Sequence, residues 1–102
     1  MDKFGLTENQ LSFILKILNE NISKKDVKYY IFGSRAKGTF KKFSDVDIAI
    51  NLNPNKLEPE TLAKILIDFE DSLFPYKVDI IDLNGIDEKF FNYIENDLVQ
   101  IN

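Results

Sequence analysis

Residues 27–52 read VKYYIFGSRAKGTFKKFSDVDIAINL. The first six are mostly β-branched or aromatic, which is typical of a strand, and Gly33 ends that strand with a turn. Residues 45–52 alternate polar and apolar and then run apolar, which predicts a second strand with at least one covered face. Between them, the segment from Gly33 to Gly38 predicts a loop that opens a short helical turn. Two strands joined through a glycine-bounded turn therefore form the centre of the predicted fold.

The flanking sequence predicts helices on both sides of this unit. Thr7 and Gln10 have the spacing of a capping box, and apolar residues follow at helical intervals. Pro59 is suited to the first turn of a later helix, and Pro75 ends it. The predicted order is a helix over residues 8–22, a strand over 27–32, a short helix after 33, a strand over 45–52, a helix over 59–73, a strand over 76–83 and a last helix near 90–98.

Strands that alternate with helices predict an α/β (or α+β) fold, in which helices pack on a small mixed sheet. No linker, repeat or low-complexity segment divides the 102 residues. We therefore expect a single domain over residues 1–102.

The composition removes many kinds of active site. The chain has no cysteine and no histidine, which excludes Cys or Ser-His nucleophiles, a histidine base and the usual zinc sites. Any catalysis must use carboxylates, lysines, hydroxyls or a hard metal ion.

Charge and hydropathy restrict the partners and the compartment. Thirteen basic and 17 acidic residues give a net charge of −4, which argues against direct binding of nucleic acid and favours a partner with a basic surface. The first residues do not resemble a leader peptide, and no apolar run is long enough for a membrane span. Together with the absence of cysteine, these features predict a cytoplasmic protein.

Asp45 and Asp47 lie two residues apart in a predicted strand, so both carboxylates are expected on one face of the sheet. Like charges held close together favour a cation between them, and Mg²⁺ prefers such oxygen ligands. The alternative is a solvated strand edge with two acids that have no catalytic role.

Asp79 interrupts the apolar run of the third predicted strand. If that strand is a neighbour of residues 45–52, its carboxylate can complete a three-carboxylate cluster able to hold two metal ions. Alternatively, Asp79 pairs with Lys77 or Lys28 on an exposed face. The sequence pattern alone leaves both interpretations open.

Gly33 and Ser34 follow a strand and precede a short helix, a position whose backbone N–H groups favour an anion. Glycine permits close approach of a phosphate, and the serine hydroxyl is a further donor. Arg35 and Lys37 add positive charge, as do the neighbouring lysines at 41 and 42. An ordinary turn with solvated lysines is the alternative.

The combination of these features resembles the nucleotidyltransferase superfamily related to polymerase β. The shared pattern is Gly33-Ser34, ten intervening residues and Asp45-Val46-Asp47. The longer strings GSRAKG and SDVDIAI are similar to the minimal nucleotidyltransferases, the antitoxin halves of prokaryotic HEPN–MNT toxin–antitoxin pairs. The resemblance covers residues 30–83. Lys37 is a departure, because the group more often has arginine there, and lysine lacks its bidentate geometry.

The resemblance implies a role for each matching residue. Gly33 and Ser34, with Arg35 and Lys37, would bind the triphosphate of ATP. Asp45 and Asp47 would bind Mg²⁺, and Asp79 would be the third acid, which orients or deprotonates the attacking hydroxyl. In such antitoxins the acceptor is a tyrosine hydroxyl of the HEPN toxin, an RNase that AMP addition silences.

Three functions remain open at the level of sequence. The favoured one is an Mg²⁺-dependent adenylyltransferase that acts on a HEPN protein, with part of the acceptor site supplied by that partner or by another copy of the chain in a hetero- or homo-oligomer. The second is an antitoxin that acts by binding alone through exposed aromatic residues, with a vestigial active site. The third is nucleotide transfer to a small molecule.

Overall fold

The computed structural model describes residues 3–102. Its elements are, in chain order, α1 Glu8–Asn21, β1 Lys28–Phe32, α2 Ser34–Lys37, β2 Val46–Asn51, α3 Pro59–Glu70, β3 Val78–Asp82, α4 Glu88–Ile94, a 3-10 helix Glu95–Asp97 and β4 Val99–Gln100.

The four strands form one mixed sheet in the order β3-β2-β1-β4. β1 is antiparallel to both β2 and β4, whereas β2 and β3 are parallel. A parallel pair needs a crossover connection, and α3 supplies it. The α/β fold with helices on a small mixed sheet is thus confirmed, and the strands that carry Asp47 and Asp79 are direct neighbours.

The main core lies between the sheet and the helices α1 and α3. Ile14 and Leu18 of α1, Ile65 of α3, and Ile31 and Ile48 of the sheet are each 0% exposed. The amphipathic spacing in α1 and α3 places their apolar side chains on the helix face toward the sheet. Burial of each such side chain contributes about 1.5–3 kcal/mol to the free energy of unfolding. At the start of α1, the predicted capping box is present, because Thr7 and Gln10 each accept a backbone N–H of the other.

The opposite face of the sheet is covered only in part. Phe32, Ala49 and Ile94 form a smaller buried cluster there, to which Tyr30 and Ile81 add partly buried side chains. Phe32 is the β1 partner of Asp47, so the aspartate lies on this second face, beside the cluster rather than within it.

The structure differs from the sequence prediction mainly near the chain's C-terminal end. The pattern of apolar residues predicts one helix near residues 90–98, but α4 ends at Ile94 and a two-residue strand follows, held to β1. This pairing is long-range, and no local pattern reports it. Between residues 3 and 102, no helix is both long and apolar enough to cross a membrane.

Candidate active site

Asp47 is the central side chain of the candidate site. It is the second residue of β2, with Phe32 as its partner on β1 and Asp79 as its partner on β3. Cross-strand partners in register point to the same face of a sheet. Two of the three predicted carboxylates therefore stand side by side on the partly covered face.

Asp45 lies just outside β2, because the strand begins at Val46. The Val46 N–H donates to the Lys77 carbonyl at 2.8 Å, which ties the entry of β2 to the residue before β3. Asp45 is half-buried, and its charge still reaches Asp47, whose pKa it raises.

The electrostatics of Asp47 reflect this crowding of acids. Burial raises its pKa above the usual 3.8, and the carboxylates of Asp79 and Asp45 raise it further, while the charge of Arg35 opposes them. A negative charge at Asp47 is thus disfavoured in the protein alone, and a cation beside it would relieve the repulsion.

Asp79 is half exposed, with Lys77 as a distant partner. The Lys77 Nζ is 4.0 Å from Asp79 Oδ1, and both side chains are at least half exposed. Such a pair contributes little to stability. The other alternative partner, Lys28, is at the far end of β1, four residues from the Phe32 that aligns with the two aspartates.

Gly33 lies directly against the central carboxylate. It precedes α2 with φ +74° and ψ −152°, which side chains rarely tolerate. A Cβ at this position would overlap Asp47 Oδ2. The absent side chain therefore permits the turn of Gly33 and Ser34 to approach the carboxylate, as a site for phosphate and metal together requires.

The two predicted cations beside this turn have different environments. Lys37 is about half exposed at the end of α2, and its Nζ is 3.4 Å from Asp97 Oδ2. Arg35 is only 2% exposed, and its guanidinium donates to the carbonyls of Ser44 and Phe4. Arg35 therefore faces the interior of the protein, not the solvent above the turn.

The donor set suits a hard metal ion. Carboxylate oxygens are ligands that Mg²⁺ prefers, and this ion usually takes one or two of them, with water and substrate phosphates completing its shell. Within residues 3–102, no group of three acidic side chains is gathered tightly enough to hold an ion as it stands. Asp47 with one neighbouring carboxylate and a nucleotide phosphate would satisfy the usual pattern.

Sequence reasoning missed the residues that support this site. Asp97 pairs with Lys37, and the ring of Tyr76 lies 4.3 Å from the Arg35 guanidinium carbon. The Ser44 hydroxyl accepts the Lys41 N–H at 2.8 Å. Only the last contact has a local signal, because a serine three residues after its donor is a common turn former.

Residues 11–102 match the sequence model of the nucleotidyltransferase domain family. The chain belongs to the nucleotidyltransferases. This nucleotidyltransferase is 30% identical over 99 residues to the probable protein adenylyltransferase MntA of Haemophilus influenzae, covering 97% of the chain and 84% of the relative. It is also 37% identical over 89 residues to a putative protein adenylyltransferase of Methanocaldococcus jannaschii, and the match covers 84% of the chain and 85% of the relative.

Solved structures agree with this assignment. A crystal structure of a toxin–antitoxin with AMP-PNP matches 94% of the nucleotidyltransferase and 73% of the solved chain, with a TM-score of 0.72 and 27% identity. A second match is a complex of a tri-AMPylated Shewanella oneidensis HEPN toxin with an MNT antitoxin. It covers 94% of the nucleotidyltransferase and 71% of the solved chain, with a TM-score of 0.70 and 22% identity, which supports the fold. The resemblance to the minimal nucleotidyltransferases, predicted from the Gly-Ser and Asp-x-Asp motifs, is confirmed.

Proposed function

We propose that this nucleotidyltransferase is the antitoxin of a HEPN–MNT pair and transfers AMP from ATP, with Mg²⁺, to a tyrosine hydroxyl of its HEPN partner. The observation that carries the proposal is the alignment of Asp47 with Asp79 on neighbouring strands, directly beside the Gly33 turn, which approaches the Asp47 carboxylate so closely that a Cβ would overlap it. The names of the curated relatives support the protein acceptor, and the toxin–antitoxin structure with AMP-PNP supports an adenine nucleotide.

Each site residue has a defined role in this proposal. Backbone N–H groups after Gly33 and the Ser34 hydroxyl hold the triphosphate, with Lys37 as the adjacent cation. Asp45 and Asp47 would hold Mg²⁺, which neutralises phosphate charge in such reactions. Arg35 adds positive charge near Asp47, as its lowering effect on the pKa of that carboxyl indicates.

The chemical step is a displacement at the α-phosphorus of ATP. The tyrosine oxygen forms a bond to that phosphorus, the bond to the β-phosphate oxygen breaks, and pyrophosphate leaves. Asp79, which is half exposed, orients the tyrosine hydroxyl and accepts its proton. Positioning and charge neutralisation supply most of the catalysis in such transfers, so the absence of histidine is no obstacle.

The test is transfer of labelled nucleotide to a purified HEPN protein. Label at the α-phosphate of ATP should appear on the partner when Mg²⁺ is present, and label at the γ-phosphate should not. Mutation of the acceptor tyrosine to phenylalanine should abolish labelling. A folded wild-type chain that leaves its cognate partner unlabelled would overturn the proposal.

The Asp45→Asn variant separates transfer from neutralisation by contact. It should fold and bind the partner but fail to label it, and it should not suppress the partner's RNase activity. Full neutralisation by this variant would favour an antitoxin that acts by binding alone. Labelling of a small molecule in preference to the protein would favour the third function.

The setting of the reaction is part of the same proposal. We expect it in the cytoplasm, in agreement with a chain that has no cysteine. A net charge of −4 suits a partner with a basic surface rather than nucleic acid.

A further inference from the structure

Arg35 is the single charged side chain that is buried among residues 3–102, with 2% of its surface exposed. Arginine is almost never fully buried without partners, because removing its charge from water is costly. Its location on α2, two residues after Gly33, makes this burial relevant to the site.

The guanidinium of Arg35 bonds to backbone carbonyl groups from two separate segments. Its Nε and Nη2 donate to the Ser44 carbonyl at 3.1 and 2.8 Å, and its Nη1 donates to the Phe4 carbonyl at 2.8 Å. The rings of Tyr76 and Phe40 lie 4.3 and 5.3 Å from its central carbon. The group is thus fixed in direction as well as in position.

These bonds join the two halves of the candidate active site. Arg35 belongs to the turn of Gly33 and Ser34, and Ser44 directly precedes Asp45. The intervening segment, residues 38–45, contains neither helix nor strand. The two hydrogen bonds from Arg35 to the Ser44 carbonyl therefore fix the position at which the chain enters β2 relative to the turn of Gly33 and Ser34.

We propose that Arg35 is a positioning residue, which fixes the carboxylates of Asp45 and Asp47 relative to the phosphate-binding turn by holding the Ser44 backbone. The inference rests on the proposed nucleotide transfer, and it assigns Arg35 a different task from direct binding of ATP. A buried guanidinium whose N–H groups donate to backbone carbonyls is not free to bind a phosphate.

Lysine distinguishes the two roles at this position. It retains the positive charge but cannot donate to two carbonyls in the planar geometry of a guanidinium. If Arg35 positions the backbone, the Arg35→Lys variant should be as impaired as Arg35→Met. If Arg35 acts on ATP through its charge, the Arg35→Lys variant should retain most of the AMP-transfer activity.

The first measurement is steady-state transfer to the HEPN partner. Both Arg35 variants should lower kcat by about 10- to 100-fold, the range seen when a residue that orients catalytic ligands is removed, and the KM for ATP should stay nearly unchanged. Lys16→Met is the matched control, because it removes an exposed cation from α1, and it should behave as the wild type.

The second measurement is amide hydrogen exchange, which requires no activity. In both Arg35 variants, residues 4–6 and 39–46 should exchange faster, while β1 keeps the protection of the wild type. Failure of the proposed function would appear as a wild-type chain without transfer, and the exchange data would still decide whether Arg35 holds these segments.

Two results would overturn the inference. One is an Arg35→Lys variant with wild-type kcat and exchange, and the other is a variant with a raised KM for ATP and unchanged kcat. If the Arg35 variants do not fold, Tyr76→Leu removes the ring stacked on the guanidinium and should give a smaller loss of kcat with the same exchange pattern. Wild-type kcat and exchange in Tyr76→Leu would then contradict the inference.

Discussion

At the scale of single residues, the closest contact in the site is between Gly33 and the Asp47 carboxylate. A Cβ at Gly33 would overlap Asp47 Oδ2, so Gly33→Ala must displace either the turn or the carboxylate. We expect a loss of about 1–3 kcal/mol in the free energy of unfolding from backbone strain, together with a large loss of AMP transfer. Thermal melting and the labelling assay measure the two effects.

Gly38 provides the matched control for this substitution. It also has a positive φ, +78°, but apart from its chain neighbours no atom of the described residues, 3–102, lies within 4 Å of the site of its Cβ. Gly38→Ala should therefore cost about 1–2 kcal/mol of stability through its left-handed backbone and retain most of the transfer activity. Equal loss of activity in both variants would show that backbone strain matters and closeness to Asp47 does not.

The raised pKa of Asp47 predicts a pH-dependent effect on stability. Because the folded protein holds the Asp47 proton more tightly than the unfolded chain does, the ionised carboxylate destabilises the fold at neutral pH, and this penalty disappears as the pH falls through the range above 3.8. In the absence of divalent ions, Asp47→Asn should raise the melting temperature near pH 7 by a few degrees. About 1 kcal/mol corresponds to about 4–8 °C for a domain of this size.

The difference between wild type and Asp47→Asn is the quantity to follow. It should be largest near neutral pH and shrink toward acid, where the wild-type carboxylate becomes protonated. Melting curves in a chelating buffer at several pH values give this difference directly. A variant less stable than the wild type at pH 7 would indicate that Asp47 has a structural role instead.

At the scale of elements, α4 is attached to the sheet by few buried groups. Ile94 is 3% exposed and packs with Phe32 and Ala49, whereas Tyr93 on the same helix is 77% exposed. Ile94→Ala should cost about 2–5 kcal/mol in the free energy of unfolding, and Tyr93→Ala should change it by less than about 0.5 kcal/mol. Denaturant titration measures both, and similar values would contradict this account of α4.

The elements that the sequence predicts well are those with a strong local signal. α1 has both a capping box and an apolar stripe, so its start at Glu8 is correct and its end differs by one residue. α3 begins at Pro59 as predicted but ends at Glu70, before the predicted residue 73, because Ser72 bonds to the Phe69 carbonyl and closes the helix. β4 is held by partners about 70 residues away, and no local pattern encodes that.

At the scale of the whole molecule, the same distinction applies to the candidate site. The sequence could name Asp47 and Asp79 as candidates, and the period of a strand gives the face of Asp47, but whether the two meet depends on a strand order that the pattern leaves open. The burial of Arg35 could not be predicted from sequence, since its contacts depend on how the segment at Phe4 and the ring of Tyr76 pack around it. The motif identifies the candidate residues, and the fold and its packing decide which of them meet and what each one contacts.

The last prediction concerns the response of the whole fold to nucleotide and Mg²⁺. AMP-PNP with Mg²⁺ at about 100 times its dissociation constant should stabilise the protein by about 2.7 kcal/mol, a rise in melting temperature on the order of 10 °C. Without Mg²⁺ the phosphates would meet the carboxylates of Asp45 and Asp47 with no cation between them, so most of the rise should vanish. Asp45→Asn should lose the rise as well, while Asp26→Asn, an exposed acid before β1, should keep it. An equal rise in the presence of a chelator would mean that the nucleotide binds away from these carboxylates.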